Sequence, residues 1–169
     1  MNLHTARLNL MPLSSADMAI FHCTNTNLFV RKYLWDDEVI VQQLSEEILE
    51  EVERCFRDQS WGLWKIVSVS DNNYVGYAGL WKFFDENQPQ LLYALLPEYT
   101  GRGYATEASQ AIIDYAFSQL KYDYLIASTD TANSSSGQVC QHLGMVLQEE
   151  RVINGKATSF YRIENKSER

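Results

Sequence analysis

Two glycines one residue apart, Gly101 and Gly103, stand immediately before a run with helical spacing: Ala105, Ala108, Ile112, Tyr115, Ala116 and Leu120. Glycine lets the backbone turn tightly and approach a ligand without a Cβ in the way. A helix that starts just past such a loop points several unpaired N–H groups into one small volume, with the positive end of its dipole behind them. That arrangement suits an anion, most naturally phosphate. A Gly-x-Gly turn also serves as a plain connection, so the loop alone leaves both readings open. It lacks the Lys-Ser/Thr pair of the nucleotide-binding P-loop and the third glycine of the dinucleotide fingerprint.

The segment that must position this loop is a strand. Leu91 to Leu96 form a continuous apolar run, as expected of a strand covered on both faces. Pro97 has no backbone N–H to donate, so strand pairing is expected to stop or splay there.

The chain has 169 residues, 46% of them hydrophobic, enough for one domain with a substantial core. A single domain over residues 1–169 is expected, its core running from about residue 6 to residue 164. The net charge of −8 argues against a general nucleic-acid binder, which needs a basic footprint. Acidity is compatible with an amine-bearing partner, and equally with an ordinary soluble surface. Cys23, Cys55 and Cys140 are odd in number and form no C-x-x-C pair, which suggests a reducing compartment. His4, His22 and His142 have no second ligand at metal spacing, so no metal site is expected. No basic-then-apolar leader and no membrane-length apolar run is present, and a cytoplasmic protein is expected.

In chain order, residues 6–13 alternate as a first strand, and Ser14 and Ser15 before Asp17 mark the start of a short helix to about Cys23. Asn25 to Asn27 interrupt it. An aromatic, mixed-charge stretch (FVRKYLWDDEV) leads into a long amphipathic helix with Val41, Leu44, Ile48, Val52 and Cys55 or Phe56 inward. Strands over Trp61–Ser70 and Tyr74–Phe84 flank an Asp71-Asn72-Asn73 turn. Beyond the glycine loop and its helix come the strand YDYLIAST and a helix from about Ser134 to His142, stopped by Gly144. Two final strands, Met145–Ile153 and Lys156–Ile163, are joined by the hairpin signal Asn154-Gly155. The order β-α-α-β-β-β-α-β-α-β-β describes an α/β (α+β) fold, a mixed and largely antiparallel sheet of about seven strands with helices on both faces. The segments around Leu91–Leu96 and Tyr124–Ser128 share a helical crossover and should be parallel neighbours.

This order, with the residues on it, resembles the Gcn-five-related N-acetyltransferase (GNAT) superfamily, in particular its RimJ/RimL-like branch, over essentially the whole chain. Three places carry the resemblance: TARLNLMPLSSADM, LLYALLPEYTGRGYATEA and ASTDTANSSSGQVCQHLGMV. The second is similar to the acetyl-coenzyme A signature Q/R-x-x-G-x-G/A, with Thr100 in the place of Gln or Arg. The third is similar to the branch pattern N-x-x-S-x6-L-G-F, with Asn133, Ser136, Leu143 and Gly144 in place and Met145 for Phe.

The resemblance implies a splayed parallel pair at the centre of the sheet, with acetyl-coenzyme A as co-substrate. Backbone groups of Tyr93, Ala94 and Leu95 would pair with pantetheine. The N–H groups of Gly101, Arg102, Gly103, Tyr104, Ala105 and Thr106 would hold the phosphates, with Asn133 and Ser136 touching the cofactor arm. Asn133 is equally an N-cap residue, and Arg102 equally an exposed loop cation. The implied reaction is acetyl transfer to a primary amine, either the N-terminal amine of a protein or peptide or a small amine such as a polyamine, amino sugar or amino acid. A non-catalytic acyl-coenzyme A-binding module is the alternative of another class. The family's assemblies are monomers or homodimers.

For catalysis, Ser136 matches the serine proposed to sit near the departing thiolate in such enzymes. Cys140 stands where many members carry a tyrosine acid, and a buried apolar cysteine is the competing reading. Gln90 replaces a branch glutamate and cannot act as a base. That leaves Asp36, Asp37 and Glu38, then Asp85 and Glu86, with Asp36 and Glu38 the candidates because relatives build the acceptor pocket there; for each one taken singly, a solvated helix start is the better explanation. Glu107 is better explained by its helix's first turn. Trp35, Trp61, Trp64 and Tyr77 are either acceptor-site walls or core.

Overall fold

The computed structural model describes residues 1–83 and 86–166. Its strands are β1 (Leu3–His4), β2 (Leu8–Pro12), β3 (Leu63–Ser68), β4 (Tyr74–Trp81), β5 (Gln90–Leu95), β6 (Tyr124–Asp130), β7 (Val146–Ile153) and β8 (Lys156–Glu164). The helices are α1 (Met18–Thr26), α2 (Leu28–Leu34), α3 (Gln42–Gln59), α4 (Tyr104–Ser118) and α5 (Ser134–His142).

The strands form two antiparallel sheets, ordered β1-β2-β3-β4-β5 and β6-β8-β7. Among the described residues no backbone ladder joins β5 to β6. They lie side by side and are linked by side chains, Gln88 Nε2 to the Tyr124 carbonyl at 2.6 Å and Ser128 Oγ to Gln90 Oε1 at 2.7 Å. Both sequence numbers rise together along the two links, as in a parallel pair. The expected parallel neighbours are therefore adjacent but unzipped.

Strand alternation divides the core between the two faces. Leu91 and Leu95 of β5 and Leu125 and Ala127 of β6 pack with Ile112 and Ala116 of α4 and Cys140 of α5. Leu92 and Ala94 face the other way, toward Phe21, Val30, Leu49 and Val52 of α1, α2 and α3. Ile112 is fully buried, so truncating it to alanine is expected to cost about 2–5 kcal/mol.

Local chemistry explains the element ends. Asp17 Oδ2 accepts the Ser14 N–H at 3.0 Å, half of a capping exchange at the entry to α1. The chain breaks at Asn27 alone, whose side chain caps α2 through the Phe29 N–H, whereas Asn25 lies inside α1. α2 itself was not expected, because a two-turn helix with mixed charge and only Val30 buried carries no readable stripe. The inner face of α3 is Ser45, Leu49, Val52 and Cys55, so Val41 is exposed and Leu44 and Ile48 only flank it. Serine takes the inward position because its hydroxyl pairs with His22 Nδ1 at 2.8 Å. The Asn154-Gly155 turn forms with both residues at positive φ, 50° and 78°.

Candidate functional site

The glycine loop follows directly from the end of β5. Pro97 opens a short 3-10 turn, and α4 begins at Tyr104 with Gly103 as its N-cap. Gly101 and Gly103 both take left-handed backbone, φ 72° and 80°, which a side-chain-bearing residue adopts only at a cost. The first N–H groups of α4 have no partner within the helix and open beside this loop. A groove of about 820 Å³ is lined by Gly103 and Thr106, by Tyr115 further along α4 and by His142; Glu107 and Asp114 also line it.

An unforeseen brace holds the loop from outside. Arg7, between β1 and β2, donates from Nη1 to the Arg102 carbonyl at 3.0 Å and from Nε to Glu107 Oε2 at 2.6 Å. Glu107 Oε1 also accepts from Thr5 Oγ1 and from the Arg7 N–H. Burial pushes the Glu107 carboxyl up, but the hydrogen bonds from Thr5 and Arg7 outweigh it and hold it below the usual carboxylate range. Glu107 thus ties the first turn of α4 to the N-terminal strands. Arg102 is exposed, its guanidinium 5.6 Å over the Tyr99 ring.

Where β5 parts from β6, backbone direction decides which groups are free. The Leu96 N–H bonds the Val75 carbonyl at 3.0 Å. By alternation, Ala94 also turns its backbone toward β4, opposite Tyr77, while Tyr93 and Leu95 turn theirs toward the split. Ala94 therefore drops out as a backbone partner for a ligand in the split; Tyr93 and Leu95 stay.

Across the split stands the start of α5. Asn133 caps it, Oδ1 accepting the Ser136 N–H at 3.3 Å and Nδ2 donating to Ser136 Oγ at 3.1 Å. Tyr93 OH reaches over from β5 to within 2.8 Å of Ser136 Oγ. Burial raises the Tyr93 phenol to about 12, against the Ser136 hydrogen bond, which lowers it. The structure thus joins Tyr93, Asn133 and Ser136, and the tyrosine contributes a side chain where only its backbone was expected. Cys140 lies one turn further along α5, 4% exposed in the core, and burial pushes its thiol up to about 11. A buried, protonated thiol offers neither a good acid nor a nucleophile, so Cys140 is corrected from catalytic candidate to core residue.

The carboxylate candidates are not gathered at Ser136. Asp36 has left-handed backbone (φ 52°) and binds Lys156 Nζ at 2.8 Å, while the same ammonium lies 3.6 Å from Asp130 Oδ2 at the end of β6. A carboxylate already paired with a lysine is poorly placed to take a proton from a substrate ammonium. The Glu38 side chain is exposed, and Glu86 pairs with Arg151 at 3.6 Å. Asp85 lies outside the described residues.

Gln90 is 1% exposed; its Oε1 accepts from Ser128, and its Nε2 has no partner among the described residues. Turning the amide over exchanges which atom is unpaired, so one buried polar atom beside the split is left over either way. Trp61, Trp64 and Tyr77 are core, with the Tyr77 OH bonded to Asn25 Oδ1 at 2.7 Å. Trp35, at the end of α2, is half-buried and donates to the same Asn25 oxygen at 2.8 Å.

Among known proteins, the uncharacterized N-acetyltransferase YnaD of Bacillus subtilis (strain 168) is 24% identical over 139 residues, 73% of this chain and 82% of that protein. The spermidine N(1)-acetyltransferase of Escherichia coli (strain K12) is 25% identical over 161 residues, 92% and 84% of the two chains. Among solved structures, the ribosomal alpha-N-protein acetyltransferase RimL in complex with coenzyme A superposes with a TM-score of 0.83 at 14% identity, covering 99% of this chain and 100% of that one. Residues 7–146 match the model of the acetyltransferase (GNAT) domain, a span that runs from the Arg7 brace through the glycine loop and α5. The chain belongs to the GNAT acetyltransferase family and is an acyltransferase of the N-acetyltransferase type.

Proposed function

We propose that the protein transfers the acetyl group of acetyl-coenzyme A to a primary amine, with the N-terminal amine of a peptide or protein as acceptor. The observation that carries the donor half is the split between β5 and β6, which leads directly into a left-handed glycine loop at a helix N-terminus. The loop backbone from Gly101 to Thr106 suits the pyrophosphate. Tyr93 and Leu95 offer N–H and C=O groups to an amide-bearing arm that would lie along β5 as a further strand. Ser136, held by Asn133, stands on the far wall, where a hydroxyl assists an oxyanion or a thiolate.

Among the described residues it is Gln90, an amide and not a carboxylate, that stands beside the split at the start of β5, and proton removal from the amine is assigned to water. The fold likeness to RimL supports a peptide acceptor. A second reading, a small cationic amine, is favoured by the identity to a spermidine N(1)-acetyltransferase across 92% of the chain and by the carboxylates of Asp36 and Asp130, which together already hold one ammonium, that of Lys156.

Release of free thiol from acetyl-coenzyme A, measured against panels of peptides and of small amines, tests both. Turnover with peptides bearing free N-termini is the expected result, and release with small amines alone would overturn the peptide acceptor. Tight cofactor binding by calorimetry without turnover on either panel would instead establish a non-catalytic acyl-coenzyme A module.

A further inference from the structure

β5 and β6 are tied together at one end and stand apart at the other. At their starts, Gln88 Nε2 donates to the Tyr124 carbonyl at 2.6 Å, and Ser128 Oγ donates to Gln90 Oε1 at 2.7 Å. Gln90 and Leu91 are buried, 1% and 5% exposed, whereas Leu92 and Tyr93 on β5 and Ser128 to Asp130 on β6 are half-buried. The split is therefore open from Leu92 onward and shut at Gln90. The glycine loop follows the opposite end of β5. A ligand with its phosphates on that loop and its arm along the strand thus runs backward, from Leu95 to Tyr93, and its reactive end points at the tie between Gln90 and Ser128.

We propose that the Gln90–Ser128 tie closes the acyl pocket and restricts the donor to the shortest acyl groups, an inference that rests on the acetyl-coenzyme A reading above. An acetyl group ends in a single methyl. A longer chain continues past the thioester carbon toward the tie and has to displace it. The added methylenes are apolar, so the displaced amide and hydroxyl lose their partner to groups that offer none. Gln90 Nε2 already has no partner among the described residues, and the tie is the bond that satisfies the other end of the same amide. Turning the amide over exchanges its two atoms but keeps the tie, since a serine hydroxyl both donates and accepts. Parting the strands to make room breaks a second hydrogen bond, the one from Gln88. Gln90 and Ser128 thus face the far end of the acyl group rather than the reacting atoms, and they set specificity rather than rate.

The test is steady-state thiol release by the full chain from acetyl-, propionyl- and butyryl-coenzyme A, with the amine on which the wild type turns over. Each added methylene is expected to lower kcat/KM about tenfold, at the lower end of what a pocket discriminates for one such group. Gln90→Ala removes the amide and should raise the butyryl-to-acetyl ratio of kcat/KM about tenfold, restoring room for about one methylene. Ser128→Ala keeps the amide but frees it to turn aside, and the ratio should rise about threefold, in keeping with one lost hydrogen bond. A role in folding alone would lower all three thioesters together and leave the ratio where it is.

A wild type that uses butyryl-coenzyme A as readily as acetyl-coenzyme A overturns the closed pocket and leaves the acetyl-transfer reading standing. A folded Gln90→Ala with the wild-type ratio overturns it equally. Should Gln90→Ala fail to fold, Ser128→Ala carries the test, and an unchanged ratio there is decisive against. A wild type that releases thiol from none of the three thioesters with any amine overturns the underlying reading and the closed pocket with it.

Discussion

The glycine loop and the acceptor loop sit at the two ends of the proposed reaction and are built in different ways. The first is one short length of chain, Pro97 to Thr106, whose candidate ligand groups are backbone N–H donors at a helix start. The second is three side chains from distant segments: Asp36 after α2, Asp130 at the end of β6 and Lys156 beyond the β7–β8 turn. Short of proline, changing a side chain cannot remove a backbone donor, only obstruct it. Exposed ion pairs contribute about 0–1 kcal/mol and are easily exchanged. A fold built this way can keep one donor while its acceptor varies.

The largest effect is expected from obstructing the loop. Gly103→Val would place a β-branched residue at φ 80°, a strain of about 1–3 kcal/mol, with its Cβ 3.3 Å from Arg7 Nη2. Calorimetry should then show acetyl-coenzyme A binding weakened by about a hundredfold, roughly 2.7 kcal/mol, in a protein that still folds. Unchanged affinity would mean that the phosphates lie elsewhere.

A smaller effect is expected from removing the brace. Glu107→Gln leaves the loop intact but loosens its tie to Arg7 and Thr5, and KM for acetyl-coenzyme A should rise about three- to tenfold with kcat nearly constant. The same carboxyl makes a pH prediction. Its folded pKa is lowered, so its stabilising contribution is present above the unfolded value of about 4.3 and is lost as pH falls through the folded value. Thermal midpoints should show this contribution intact down to about pH 5 and fading below that, and Glu107→Gln should lack that component of the acid loss. A variant with the wild-type acid profile would show that the brace does not govern the loop.

The smallest effect belongs to the acceptor side. Lys156→Met frees Asp36 and Asp130, and KM for a cationic small amine should drop about two- to fivefold at low salt, with the gain fading at ~0.5 M salt. A change of equal size for an uncharged amine would remove the electrostatic explanation and blur the contrast between the two ends.

Much of the donor side was legible because its signals are short-ranged. Pro97, Gly101, Gly103 and the α4 periodicity lie within one turn or two of each other, and Asn133 caps α5 where an N-cap residue is expected. The inner face of α3 was misjudged because its second stripe, through Ser45 and Leu49, is equally helical, and only the hydrogen bond to His22 reveals why serine lies inward. Ala94 looked equivalent to its neighbours until the Leu96 bond to Val75 set the alternation of β5. The roles of Arg7, Tyr93 and Lys156 carry no local signal.

By itself, the order of residues determined where the chain turns and what its backbone presents: the strand stop at Pro97, the left-handed loop, the helix start and the Asn154-Gly155 hairpin. Steric limits on φ and ψ and the needs of unpaired N–H groups act over a few residues, so they are written in those residues. Only the tertiary structure decided that Tyr93 meets Ser136, that Arg7 reaches Glu107 and that Lys156 stands between Asp36 and Asp130. Such meetings depend on strand register and on the rotation of each helix, where a shift of one residue turns a side chain to the opposite face.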